Sequence, residues 1–320
     1  MVKINGDIHI SGLIFKELLK RGYSLKGNTR VWNIADSKLW YLTPEQSKAY
    51  LELEDSAHYQ KLIEKTEVKL IDQNVKEILD CVGKNPLNVV DLGCGDGRKG
   101  AQIVKRFKKT SKIRYCPIDI SGYMVREAIK NFSKLKLGEV VGFQYNISDF
   151  ENLENITPLL RFGEFKKSLF LLLGNTLGNF ELTELLYQIR NSMKDEDSLL
   201  IGVGIEHPKW VQIAKTAKND KKTDNFLIHI PLHLGLKSED VKFGARFQHS
   251  RIEFYYTLLK DKAIKFQEKE VRFNKGDKIV VAIAYKHKKD DLTSILKMYF
   301  KDVRVFTSKD NSEALFLCIK

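Results

Sequence analysis

Asn88–Gly100 reads NVVDLGCGDGRKG. Val89 and Val90 run into Asp91, and Gly93, Gly95 and Gly97 then recur at every second position. Arg98 to Phe107 (RKGAQIVKRF) follows with helical spacing, placing Ala101, Ile103, Val104 and Phe107 on one broad face. The stretch therefore reads as a buried strand, a glycine loop and a helix. Glycine there permits positive φ and lets a ligand approach closer than a Cβ would allow. At the carboxyl end of a parallel strand, such a loop is where open α/β sheets bind nucleotides. A tight strand-to-helix turn without a ligand is the alternative.

Working outward, the same alternation continues. Ile113–Ile120 (IRYCPIDI) is the second strand, and Ser121 is a good N-cap for the helix after it. Asp119 ends that strand, where one carboxylate accepts from both hydroxyls of a ribose; capping a turn is its competing role. Val140–Tyr145 is the third strand, followed by Asp149 and Phe150, an acid beside an aromatic ring that suits an adenine. Lys167–Leu173 is a continuously apolar fourth strand ending in Gly174–Phe180 (GNTLGNF). Leu182–Met193 is the next helix and Ser198–Ile205 the fifth strand. Five strands alternating with helices predict a doubly wound α/β sheet.

Before the core, Leu13–Leu19 and Leu51–Ile63 have helical periodicity around an irregular aromatic stretch, Trp32 to Tyr41. Trp40, Tyr41, Tyr50 and Tyr59 either roof a site or staple this layer to the core. After Glu206 the alternation stops. Trp210–Ala217 reads as helix, Lys218–Thr223 as a polar loop, and Arg246–Leu259, Lys265–Phe273 and Ile279–His287 as long strands. The turn at Asn274–Gly276 is expected to close the last two into a hairpin. Asp291–Tyr299 returns to helix, and Val303–Thr307 with Ala314–Ile319 forms a closing strand pair. The expected division is an N-terminal helical layer (1–64), a nucleotide-binding core (65–206 and 288–320) and an α+β insertion (207–287).

The balance of 54 Lys+Arg against 41 Asp+Glu gives a net charge of +13, which admits a nucleic-acid partner. The lysines are scattered among acidic and polar neighbours, so a solvated surface and a small-molecule substrate are favoured. The densest apolar run, Leu169–Leu173, is far too short to span a membrane. Cys81, Cys94, Cys116 and Cys318 form no CxxC, and the N-terminus lacks a secretory layout; a cytoplasmic protein is expected. His229 and His233 are separated by Pro231 and belong to no HExxH, so no metal site is read. No GxSxG elbow and no DPPY-like motif occurs.

The spacing GxGxG differs from the dinucleotide fingerprint GxGxxG. With Asp91 before the first glycine, it resembles motif I of class I S-adenosylmethionine (SAM) methyltransferases. More narrowly, Lys99 in DGRKG, IDIS with Asp119, SDF with Asp149 and Phe150, and Gly174–Phe180 resemble the histidine-specific SAM-dependent methyltransferase family. That resemblance implies a Rossmann-like seven-stranded sheet, SAM as cofactor and methyl transfer to the nitrogen of a small amino-acid-like or amine substrate. It implies SAM contacts from Gly93, Lys99, Asp119, Asp149 and Phe150. By the same resemblance Asn179 would hold the substrate's amino-acid end, and Tyr59 is the loose counterpart of a family tyrosine. Asp91, Gly95, Gly97, Asn175 and Thr176 are expected in the same cofactor site from their place in the glycine loop and the GNTLGN turn. Asn175, Thr176 and Asn179 also offer uncharged donors and acceptors that would face a substrate amine or carboxylate, with loop hydrogen bonding and helix capping as the alternative. Where the family reads an imidazole with a Glu and a Ser, this chain carries Ala282 and Ala284, so histidine is doubtful as the acceptor. RNA or protein methylation, or SAM binding without catalysis, are the alternatives.

Overall fold

Fourteen strands, numbered along the chain, fall into three sheets in a computed structural model that describes residues 6–59, 65–107, 111–141, 150 and 152–320. They are β1 (Tyr23–Lys26), β2 (Thr29–Asn33), β3 (Leu87–Leu92), β4 (Ile113–Ile118), β5 (Glu139–Val140), β6 (Lys167–Leu172) and β7 (Ser198–Gly204). Then follow β8 (Val241–Gln248), β9 (Arg251–Leu258), β10 (Lys262–Phe266), β11 (Lys269–Phe273), β12 (Lys278–Tyr285), β13 (Asp302–Thr307) and β14 (Glu313–Ile319). The chain divides into two units, Met1–Glu54 with Pro208–Tyr285 and Asp55–His207 with Lys286–Lys320.

The second unit is built on a seven-stranded sheet of order β13-β14-β7-β6-β3-β4-β5, parallel from β7 to β5, with β14 antiparallel to β7 and to β13. This is the class I methyltransferase sheet. Strand residues alternate between two cores because both faces are covered. Leu87, Val89, Ile113 and Tyr115 lie with helices Lys65–Val82, Arg98–Phe107 and Gly122–Leu135 on one face. Val90, Leu92, Cys116 and Ile118 lie with helices Leu182–Ser192 and Lys289–Tyr299 on the other. Ser121 caps its helix as expected, its Oγ accepting from the Met124 N–H (3.4 Å). The strand order reverses between β3 and β6, so a crevice opens at their carboxyl ends. Only Glu139–Val140 of the third parallel strand is described; its continuation and Asp149 lie outside the described residues.

The first unit holds a five-stranded sheet of order β1-β2-β12-β9-β8 and the separate hairpin β10-β11. Two of the expected long strands are instead pairs of shorter antiparallel strands. Arg246–Leu259 is not one strand, because His249 and Ser250 (φ +50° and +53°) turn β8 back into β9. Lys265–Phe273 is likewise split at Gln267 (φ +55°) into β10 and β11. Neither turn contains the glycine or proline that announces most turns. Asn274–Gly276 closes no hairpin: β11 pairs with β10, whereas β12 lies between β2 and β9. The aromatic stretch from Trp32 begins in β2, which pairs parallel with β12 at Val31↔Lys278. Lys218–Thr223 is not all loop, since Asp220 caps helix Lys221–Leu227 by accepting from Lys222 and Thr223. No helix among the described residues is long and apolar enough to cross a membrane.

Candidate functional site

The loop after β3 has its three glycines at φ +68°, +54° and +78° (Gly93, Gly95, Gly97), each in the left-handed region. Their surroundings differ. A Cβ on Gly97 would lie 2.9 Å from the Ala128 backbone, so this glycine lets the loop press against helix Gly122–Leu135. A Cβ on Gly93 would meet Thr176 Cγ2 at 3.1 Å, so the loop abuts the turn that follows β6. A Cβ on Gly95 would meet nothing within 4 Å. One glycine of the three therefore faces open space.

Beside that space is Asp119, only 7% exposed, whose Oδ2 accepts from the Gly95 N–H (3.1 Å) and Oδ1 from the Ser121 N–H (2.9 Å). Two backbone donors fix the carboxylate without by themselves saturating it, because a carboxylate accepts about four hydrogen bonds. Asp91 is placed differently. Its side chain turns into the interior, where it accepts from the Tyr115 hydroxyl (2.6 Å). A Cβ on Gly100 would overlap the Asp91 carboxylate. Burial raises the Asp91 pKa to about 6, against the lowering effects of Tyr115 and Lys99. Tyr115, stacked on Phe132 at 4.3 Å, thus wedges beneath the loop. The sequence gives it no motif; only the register Val89↔Tyr115 brings it under the loop.

The turn after β6 is held from several directions. Gly174 (φ +68°) donates its N–H to Glu67 Oε1 (2.8 Å), and a Cβ there would stand 2.9 Å from Lys99 Nζ. Asn175, also left-handed at φ +63°, accepts through Oδ1 from the Gly204 N–H (3.1 Å) and from Lys286 Nζ (2.7 Å). Lys286 is 2% exposed, and no spacing in the sequence links it to a partner 111 residues away. Thr176 Oγ1 donates to the Leu173 carbonyl (2.6 Å). Asn179 ends the short 3-10 turn Thr176–Asn179, half-buried, with no side-chain hydrogen bond among the described residues. Phe150 adopts φ +73°, is 3% exposed, and its ring lies 5.3 Å from that of Phe180. Tyr59 closes the three-residue helical turn Ala57–Tyr59, its N–H bonded to Ser56 Oγ (3.2 Å). The crevice thus gathers Gly93, Gly95, Lys99, Asp119, Gly174, Asn175 and Thr176.

In the first unit, Ala282 is buried opposite Phe254 on β9, and Ala284 packs in an apolar cluster with Trp210, Ile213, Ile252 and Phe254. Trp40, Tyr41 and Tyr50 form a second aromatic group around Phe226, with ring centroids 5.3–6.4 Å apart. The rings of His229 and His233 stand 6.4 Å apart. Among the described residues no group of three His, Cys, Asp or Glu side chains is arranged to hold a metal ion.

A class I sheet with an open glycine loop and an acid at the end of the next strand defines a SAM-dependent methyltransferase. Residues 53–320 match the model of the histidine-specific, SAM-dependent methyltransferases, and the chain belongs to that family. SAM is accordingly its cofactor. No curated protein matches the chain significantly. Among solved structures it is similar to a SAM-dependent methyltransferase from Clostridium acetobutylicum ATCC 824 (13% identity, 85% of this chain and 98% of that one, TM-score 0.45). It is also similar to a Pyrococcus horikoshii OT3 protein (12%, 87% and 99%, 0.46) and to Streptomyces venezuelae DesVI (10%, 87% and 99%, 0.40).

Proposed function

We propose that the chain methylates the nitrogen of a small amino-acid-like or amine acceptor, and that the acceptor's side chain is apolar rather than an imidazole. The observation that carries the acceptor reading is the apolar setting of Ala284 among Trp210, Ile213, Ile252 and Phe254, where the resemblance leads one to expect polar partners for a ring nitrogen. A site without those partners cannot favour histidine over an isosteric apolar side chain.

For the cofactor, the open space over Gly95 beside the fixed carboxylate of Asp119 fits an adenosine-bearing group. SAM, when bound, supplies a methyl group already activated on a sulfonium. In this reading Gly93, Gly95 and Gly97 shape the cradle, Asp119 accepts from the ribose hydroxyls, and Asp149 with Phe150 takes the adenine. Lys99 answers the methionine carboxylate, Asp91 supports the loop from below, and Asn175 with Thr176 keeps the turn closed against it. Asn179 and Tyr59 orient the acceptor amine, whose proton leaves to water, since methyl transfer needs alignment and a free lone pair more than a strong base.

The test is transfer of labelled methyl from SAM into a panel of L-amino acids and their decarboxylated amines, with total RNA and protein in parallel. Label in an amino acid with an apolar side chain is expected, with Gly95→Arg abolishing it by filling the open space. Label confined to histidine would overturn the apolar-acceptor reading; label confined to RNA or protein would overturn the small-molecule reading.

A further inference from the structure

One face of the five-stranded sheet in the first unit carries none of the residues assigned above to the methyl-transfer site. Register assigns to it Lys26, Val31, Lys278, Val280, Ile283, Tyr285, Arg251, Glu253, Tyr255, Gln248, Arg246 and Lys242. The opposite face packs on helices of the same unit. There, Ile252 and Phe254 pack on Trp210 of helix Lys209–Ala217, and the Tyr256 hydroxyl bonds to Asp224 Oδ1 (2.7 Å). On the first face, five cations (Lys26, Lys242, Arg246, Arg251, Lys278) meet one carboxylate, Glu253, a surplus of four. Burial, then the charges of Arg246 and Lys26, lower the Lys278 pKa, so these cations are close enough to repel one another.

The cations are also ordered. Arg246 Nε and Arg251 Nε donate to the two oxygens of Glu253 (2.8 and 2.9 Å), and Gln248 Nε2 adds a third bond (2.9 Å). Arg246 and Lys278 both lie over the Tyr255 ring, at 5.3 and 4.7 Å, and Arg251 lies 5.8 Å from the centre of the Tyr285 ring. Side chains held this way lose little further entropy on meeting a ligand. The apolar residues of the face, Val31, Val280 and Ile283, are 5%, 2% and 8% exposed, so no hydrophobic wedge projects for a lipid bilayer.

We propose that this face binds single-stranded nucleic acid, independently of what the methyl acceptor is. The surplus charge matches a phosphate backbone, and the guanidinium groups layered on Tyr255 and Tyr285 provide planar surfaces on which unpaired bases stack. An acidic polypeptide would answer the charge but leave the planar groups without a counterpart.

Fluorescence anisotropy of a labelled 15-mer oligouridylate with the full chain tests it. Binding in the micromolar range or tighter at low salt is expected. The exposed pair Lys26→Glu/Lys242→Glu should weaken it at least tenfold and flatten the salt slope by about 1.4, the value for two lost phosphate contacts. SAM titration should be unchanged, which separates surface loss from misfolding. Lys301→Glu/Lys309→Glu, with the same charge change on exposed lysines of the second unit, should bind nearly as well as the natural chain. Absence of binding, equal loss in the two double variants, or equal affinity for polyglutamate would overturn the proposal.

Discussion

Asp91 is the residue whose burial costs most visibly. Its carboxyl is 3% exposed and titrates near 6 instead of 3.8, with burial the dominant cause. The folded form thus holds its proton more tightly than the unfolded chain. Stability from this group is fullest below about pH 4 and declines as pH rises through 6, by about 3 kcal/mol from the size of the shift. Asp91→Asn removes the titration. The unfolding free energy of the natural chain relative to that variant should therefore fall between pH 4 and 7, measured by urea denaturation at each pH. The Tyr115 hydroxyl favours the ionised form. Tyr115→Phe should accordingly move the Asp91 midpoint further up in a carboxyl-carbon NMR titration; a midpoint near 3.8 in the natural chain would refute the buried placement.

Among the elements, the start of β8 is tied down by one carboxylate. Asp240 receives the ammonium groups of Lys260 (2.8 Å) and Lys262 (3.0 Å) and the Lys237 N–H (3.0 Å). Burial pushes its pKa up, but these partners outweigh it and hold it below the ordinary carboxylate range. The sign is opposite to that of Asp91: this contribution is present above about pH 4 and is lost as pH falls through the folded value. Asp240→Ala should cost on the order of 2–3 kcal/mol at pH 7 by urea denaturation and much less near pH 2. No sequence pattern pointed to this clamp, and the reason extends to the whole first unit. The parallel sheet was legible because its strands are rich in buried apolar residues, as in Leu169–Leu173, and are set off by the glycine loop or a polar turn. The β8–β9 and β10–β11 turns use His249, Ser250 and Gln267 in left-handed geometry, which composition does not announce. The crevice was similarly half-legible. Gly95 and Asp119 each belong to a local motif, and the fold brings them together. Glu67, Tyr115 and Lys286 act through partners more than twenty residues away in sequence and surface only in three dimensions.

At the scale of the molecule, the chain crosses between its units three times, so neither unit is one continuous segment. The two nevertheless differ in what a cut would remove. Residues 55–207 joined to 286–320 keep all seven strands of the larger sheet and both of its cores. They also keep Gly93, Gly95, Gly97, Lys99, Asp119, Asp149 and Phe150. Residues 208–285 alone lose β1 and β2, which cover β12 through the Val31–Asn33 pairing, and lose the Trp40 Nε1–H bond to the Val281 carbonyl (2.9 Å). An uncovered β12 edge, apolar along Ile279–Ile283, invites intermolecular pairing. The joined 55–207/286–320 chain should therefore fold cooperatively and bind SAM within about tenfold of the full chain by calorimetry, while transferring no methyl group. The 208–285 fragment should aggregate unless residues 10–54 are supplied with it. A soluble, structured 208–285 fragment would contradict the sheet order, and a joined chain that folds but fails to bind SAM would move part of the cofactor site into the first unit.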